Sequence, residues 1–169
     1  VEHSDVALEQ LSTSHTGTTP PTTTLKQTPS LSLYQQFLAC ASAAPDAPAL
    51  QSNDEVITYQ TLAARVQHLI VQLQAQLTHE QSPVVALMFE RSPEMIVAIL
   101  ATLGAGAGYL PLNPEQGQAR SEFMLQDSGA NLLLCHQATL NTAMCFSAIT
   151  EVQNIDELAQ QPAPVFNSD

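Results

Sequence analysis

Apolar residues come in short blocks, and the spacing within each block names an element. Leu31, Leu33, Tyr34, Phe37, Leu38 and Ala41 recur at helical intervals, with Ser30 or Ser32 placed to cap the helix and Pro45 to end it. Ala49-Leu50-Gln51 and Val56-Ile57-Thr58-Tyr59 flank the turn cluster Ser52-Asn53-Asp54-Glu55, the pattern of a β-hairpin. Over residues 61–77 the stripe Leu62, Val66, Leu69, Ile70, Leu73 and Leu77 predicts an amphipathic helix, with Gln67, Gln72, Gln74 and Gln76 on its outer face and His68 beside the stripe. The run 83–89 is almost continuously apolar, which suits a strand buried on both faces. Ser92-Pro93-Glu94 opens the next helix as N-cap, N1 and first-turn acid; Met95, Ile96, Ile99, Leu100 and Leu103 form its face and Gly104 stands at the C′ position. A strand at 108–112, a helix at 118–126 and a strand at 131–135 follow. Further on, the pattern predicts a helical turn at 139–143, a strand within 146–152 and a short helix at 155–159.

From residue 61 the order is therefore α-β-α-β-α-β. Strands separated by helices pair in parallel through right-handed crossovers. The expected fold is α/β: a layered parallel or mixed sheet with flanking helices, preceded by the hairpin and a flexible tail. Residues 1–30 are that tail. They are rich in Ser, Thr and Pro, most of all in 18–24, and carry too little apolar surface to offset the entropy of ordering, so they are read as a linker leading into a folded part at 31–169.

Charge narrows the partners. Four Lys+Arg stand against sixteen Asp+Glu, a formal net charge of -12. Such a chain repels phosphate backbones and anionic lipid, so neither nucleic acid nor a membrane surface is expected to bind it. The absence of a membrane-length apolar run and of a signal peptide makes a cytoplasmic location the expectation. Cys40 and Cys135 read as small core residues in a reducing compartment, and Cys135-His136 as a strand end. The histidines show no metal-ligand spacing, so no metal site is expected.

Gly104-Ala105-Gly106-Ala107-Gly108 invites a phosphate-binding reading. Phosphate loops, however, follow a strand and open a helix, whereas these glycines follow a helix and lead into a strand. A tight helix–strand connection is the expected role. Neither a GxxxxGK[ST] loop nor a GxSxG elbow occurs. Arg91, just beyond a strand end, is expected to pair with Glu90 or Glu94. No residue is assigned a catalytic, cofactor-binding or metal-binding role.

Several segments nonetheless resemble one family. Ile57-Thr58-Tyr59-Gln60-Thr61-Leu62 is similar to the first core motif, (L/I)TYxEL, of the adenylation domains of non-ribosomal peptide synthetases. Residues 89–100, from Phe89-Glu90-Arg91-Ser92-Pro93-Glu94-Met95, resemble their ERSPEMVVALLA segment, and residues 103–114 resemble LKAGxAYxPLDP. Ala44-Pro45-Asp46-Ala47-Pro48-Ala49-Leu50 is similar to TPDAPAL, and Arg120 with residues 124–130 resembles R…MLEDSGA. The segments keep family order and spacing over about residues 31–136. The resemblance implies the amino-terminal subdomain of the adenylate-forming fold. Its parent is an ATP-dependent ligase: with ATP and Mg²⁺ it turns an amino acid into an aminoacyl-adenylate plus pyrophosphate, then passes the acyl group to the phosphopantetheine thiol of a carrier protein. The family's phosphate-binding loop and its later binding and catalytic segments fall after residue 169, so none of its catalytic residues lands on this sequence. The chain alone is expected to be non-catalytic and to bind no cofactor itself. Expected partners are the remainder of the adenylation domain and neighbouring condensation and carrier-protein domains. Such a partial domain is also expected to leave apolar sheet surface uncovered. Gly104, Asn113 and Gln116-Gly117 depart from the family's Lys, Asp and Tyr-Pro. They leave a second reading open, a truncated, inactive adenylation-like docking module.

Overall fold

A computed structural model describes residues 31–52, 55–77 and 82–160. The tail 1–30 lies outside the described residues.

Helix α1 (Leu33–Ala43) begins at Ser32. The Ser32 hydroxyl accepts the Gln35 N–H at 3.2 Å and the Gln35 side chain accepts the Ser32 N–H at 2.9 Å, a reciprocal capping box. Strands β1 (Pro48–Ser52) and β2 (Glu55–Thr58) form the antiparallel hairpin. Helix α2 (Tyr59–Gln76) starts on a Thr58 cap whose hydroxyl accepts the Thr61 N–H.

The central sheet contains β3 (Val84–Met88), β4 (Gly108–Leu112), β5 (Leu132–Cys135) and β6 (Glu151–Asn154) in the order β4-β3-β5-β6. Every pairing in it is parallel. Helix α3 (Pro93–Gly104) connects β3 to β4, and α4 (Gln118–Ser128) connects β4 to β5. Helix α5 (Leu140–Ala143) runs into a 3₁₀ turn (Met144–Phe146) before β6, and α6 (Ile155–Leu158) follows β6.

Side-chain alternation along the strands divides the interior in two. Val85, Leu87, Leu132 and Leu134 join a cluster with Leu69 and Leu73 of α2, Ala98 and Ala101 of α3, and Leu158 of α6. Ala86, Met88, Leu133 and Cys135 join the other, with Leu125 of α4, Ala143 of α5 and Phe146. All four residues of β5 are buried, which accounts for its unbroken apolar run. Each fully buried leucine here contributes about 1.5–3 kcal/mol of apolar transfer energy. Since α3 lies over one face and α4 over the other, the strand order reverses between β3 and β5.

The architecture follows the expected one, with its sheet wholly parallel, and particular residues depart from expectation. Tyr59 opens α2 instead of ending β2, because the Thr58 cap stops the strand and the Tyr59 N–H donates to Ala47 O at 3.0 Å. Gln72, placed on the outer face by its type, is buried. Cys40 is exposed, since α1 buries the side of Phe37 instead. Gly104 is the last residue of α3, and Gly106 (φ +83°) takes the left-handed position assigned to it. The last strand begins at Glu151, later than most of the expected window. Large exposed apolar side chains lie on α1, β2, α4, the edge strand β4 and the 3₁₀ turn (Leu33, Leu38, Val56, Phe123, Tyr109 and Met144); the central strands β3 and β5 are covered on both faces, whereas β4 leaves Tyr109 and Pro111 open on the face it shares with Val85 and Leu87.

Candidate functional site

Open α/β sheets bind ligands beyond the carboxyl ends of their strands, where the strand order reverses. Here that place lies between Phe89, just after β3, and His136, just after β5. Their rings pack together with centroids 5.4 Å apart and planes tilted by 35°. Thr139 lies beneath them. Its hydroxyl, fully buried, donates to Met88 O at 2.6 Å and ties the turn after β5 to the end of β3. On the other side the Gln137 N–H donates to the Asp156 carboxylate at 2.9 Å, and Asn154 Nδ2 donates to Gln137 Oε1 at 3.1 Å. The carboxyl ends of β3, β5 and β6 are thus cross-tied by side chains, leaving a closed rim at the reversal. The His136 Nε2 is buried there with no hydrogen-bond partner among the described residues.

Cys135 ends β5, as expected for a strand-end Cys-His pair. Burial, reinforced by the nearby Asp156 and Glu157 carboxylates, pushes its thiol up to about 11. A thiol held protonated at neutral pH is a poor nucleophile, so the pair acts as packing. Among the described residues no group of three or more His, Cys, Asp or Glu is clustered for a metal ion.

Two grooves border α3. The larger, about 630 Å³, lies between α2, α3 and α6 and includes His68, Leu69, Glu94, Val97, Ile155 and Asp156. His68 is held there by a 3.1 Å hydrogen bond between its Nε2 and Leu158 O. Arg65, also on its wall, pairs with Glu55 at 3.1 Å; with both side chains about half exposed, the pair contributes at most ~1 kcal/mol. The smaller, about 320 Å³, lies between β1 and the start of α3 and is walled by Leu50, Ser52, Arg91, Pro93, Met95 and Ile96. Arg91 makes no ion pair with Glu90 or Glu94, contrary to expectation: it faces the hairpin groove.

The glycine run has a definite conformation. The Gly106 N–H donates to Leu103 O at 3.2 Å and the Ala107 N–H to Thr102 O at 3.0 Å, the paired bonds of a Schellman motif. The Ala105 N–H goes to Ala101 O and the Gly108 N–H to Pro83 O. All four amides from 105 to 108 are therefore used inside the chain, and none is free to meet a phosphate. The three family departures are also built into local structure. Gly104 sits beneath Tyr34 and Ile70, which an added side chain would crowd. Asn113 Oδ1 accepts the Glu115 N–H at 2.9 Å, a bond that an aspartate makes equally well. Gln116 Nε2 donates to Ser121 Oγ at 2.8 Å, and Gly117 is the N-cap of α4.

The sequence assigned no site residues, and the Phe89–His136–Thr139 knot carried no signal beyond a strand end followed by a turn.

Comparison with known proteins gives the family. The family described as AMP-binding enzyme matches residues 37–166. Bacitracin synthase 3 of Bacillus licheniformis is 35% identical over 115 residues, 68% of this chain and 2% of that protein. Surfactin synthase subunit 3 of Bacillus subtilis (strain 168) is 38% identical over 122 residues, 72% of this chain and 9% of that protein. The chain thus spans a small fraction of these relatives. Among solved structures, the non-ribosomal peptide synthetase FmoA3 in its AMPPNP-bound form superposes with a TM-score of 0.68 at 25% identity, covering 76% of this chain and 14% of that one. The O-succinylbenzoate coenzyme A synthetase of Bacillus subtilis in complex with AMP shares the fold with a TM-score of 0.69 at 24% identity, covering 78% of this chain and 34% of that one. The chain belongs to the AMP-binding enzyme family, and its segments correspond to the amino-terminal part of a synthetase adenylation domain.

Proposed function

We propose that this chain supplies the amino-terminal scaffold of an amino-acid-activating adenylation domain and does not catalyse by itself. On this reading the complete domain joins ATP and an amino acid into an aminoacyl-adenylate, with Mg²⁺ at the phosphates and release of pyrophosphate. The acyl group then moves to the phosphopantetheine thiol of a carrier protein. The remainder of the adenylation domain, with condensation and carrier domains, would be the partners. No helix among the described residues is long and apolar enough to cross a membrane. The free thiols of Cys40, Cys135 and Cys145 support a reducing, cytoplasmic setting.

The observation that carries the scaffold reading is the use of the family segments as framework. The first core motif forms the β2–α2 junction, the Phe89–Met95 segment caps α3, and the second core motif is the Schellman turn with β4. The glycine run that most resembles a phosphate cradle has spent its amides on α3 and Pro83. Triphosphate binding needs free backbone donors, and none remains in that run. The docking-module reading drew on the departures at Gly104, Asn113 and Gln116-Gly117. Each of them is accommodated locally, which supports an intact parent domain instead.

Amino-acid-dependent pyrophosphate exchange, run over a panel of amino acids, tests this. The chain alone should show no exchange. The chain joined in frame to the rest of the adenylation domain of surfactin synthase subunit 3 should show it. Exchange by the chain alone, or none from a chimera that folds, would overturn the reading.

A further inference from the structure

The larger groove combines an apolar floor with polar groups of one kind. Leu69, Val97 and Ile155, all buried, come to it from α2, α3 and α6 in turn. Its polar groups are almost all hydrogen-bond acceptors. Glu94, in the first turn of α3, has no ion-pair or hydrogen-bond partner among the described residues. Asp156 accepts the Gln137 N–H through Oδ2 at 2.9 Å and keeps Oδ1. The Leu158 carbonyl can only accept, so His68 donates to it through Nε2 and the neutral ring keeps Nδ1 as an acceptor. Gln160 donates through Nε2 to Asp156 O at 3.2 Å and keeps Oε1.

Cations do not balance this lining. Arg65 is on the wall, and Glu55 neutralises it at 3.1 Å. The Glu94 and Asp156 carboxylates are left without a matching positive charge. A lysine ammonium brings three donors and no acceptor, on a four-carbon stem that lies well on apolar surface. The shape of the groove says how such a group arrives. Its volume of about 630 Å³ is that of a ligand pocket, yet Ala64, Arg65, Ala159 and Gln160 along it are exposed. A free small molecule is held where about 70–90% of its surface is enclosed. An open trough suits a side chain carried by a polypeptide running across it.

We propose that the groove between α2, α3 and α6 is a docking site for a partner polypeptide that inserts a lysine flanked by apolar residues. The Glu94 and Asp156 carboxylates receive the ammonium, and the flanking apolar side chains rest on Leu69, Val97 and Ile155. The formal net charge of -12 draws a basic segment towards the chain, and the groove selects where it settles.

Titration of the 169-residue chain with the peptide N-acetyl-Leu-Lys-Leu-amide tests this, followed through the amide chemical shifts of Leu69, Val97 and Ile155. Salt at about 0.15 M screens attraction to distant charges. The three amides should shift saturably. The peptide should bind about fivefold more tightly than its norleucine analogue, which keeps the stem and lacks the charge. Replacing both leucines by glycine should weaken binding about tenfold. Glu94→Gln and Asp156→Asn keep the side-chain shape, and the asparagine still accepts the Gln137 N–H. Each should weaken binding about fivefold. Glu122→Gln removes the same charge from α4, on the opposite face of the sheet, and should leave binding unchanged. Circular dichroism checks that each variant folds, and the peptide series on the unaltered chain decides even where one does not. No saturation by about 5 mM, or equal binding of the lysine peptide and either analogue, overturns the proposal. So does an equal effect of Glu122→Gln and Glu94→Gln, which would mean diffuse charge attraction. Hexylammonium binding as tightly as the lysine peptide would assign the groove to a free amine and overturn the polypeptide assignment.

Discussion

Tyr34 of α1 lies against Gly104 at the end of α3, so closely that a methyl group on Gly104 would stand 3.0 Å from both Cε2 and Cζ of the ring and would also meet Ile70 Cδ1. The glycine at this position is thus matched by an aromatic side chain seventy residues earlier. Gly104→Ala gains about 1 kcal/mol of helix propensity and loses about 1–3 kcal/mol to overpacking. Urea denaturation should show net destabilisation. Tyr34→Ala removes one of the two obstacles, so Gly104→Ala should cost less in that background. Equal cost in both backgrounds would mean that the ring does not set the limit.

Gly106, two residues on, gives the opposite case. Its φ of +83° is the constraint, and nothing lies within 4 Å of where a Cβ would stand. Gly106→Ala should cost about 1–2 kcal/mol from backbone conformation alone, and the cost should not change in the Tyr34→Ala background. The two substitutions together separate crowding from dihedral strain in one turn.

Thr139 is predicted to matter more than its sequence context suggests. Thr139→Val keeps the shape and leaves Met88 O without its donor in a buried place. The expected loss is about 1–3 kcal/mol. Thr61→Val, a similar change at an exposed hydroxyl, should cost less than half as much. Thermal unfolding of the two variants compares them.

The thiols should divide by reactivity. Cys40 and Cys145 are exposed and Cys135 is buried, so a thiol reagent at pH 8 should label two groups rapidly and the third only on unfolding. The Cys135 thiol lies above its ordinary value of 9.0, at about 11 in the folded chain. Its protonated form is the one the fold favours. The stabilisation is therefore complete below pH 9 and is lost as pH rises through 11. Cys135→Ala should flatten this part of the stability profile, and an unchanged alkaline slope would assign the loss to other groups.

The elements were legible because their physics is local. Ser92-Pro93-Glu94 names a helix start whatever surrounds it, and Leu132, Leu133 and Leu134 name a doubly buried strand. Misplaced residues depended on tertiary packing. Gln72 is polar by type, yet α2 is covered on a wider arc than its apolar stripe suggests. Cys40 and Phe37 belong to the same helix, and only the positions of α2 and α3 decide which side of it is inside. Ile57-Thr58-Tyr59 reads as continuous β-propensity, and a single capping bond from Thr58 divides it. The knot of Phe89, His136 and Thr139 joins residues about fifty positions apart, a distance no local spacing spans. The grooves were hidden for the same reason, since Asp156 and His68 reach one wall from α6 and α2.

The coverage of β3 and β5 on both faces carries a mechanical consequence. With α2 and α3 pressed on one side and α4 and Phe146 on the other, β3 and β5 have no open face on which to admit a guest molecule, so any ligand must meet this layered block at its rim.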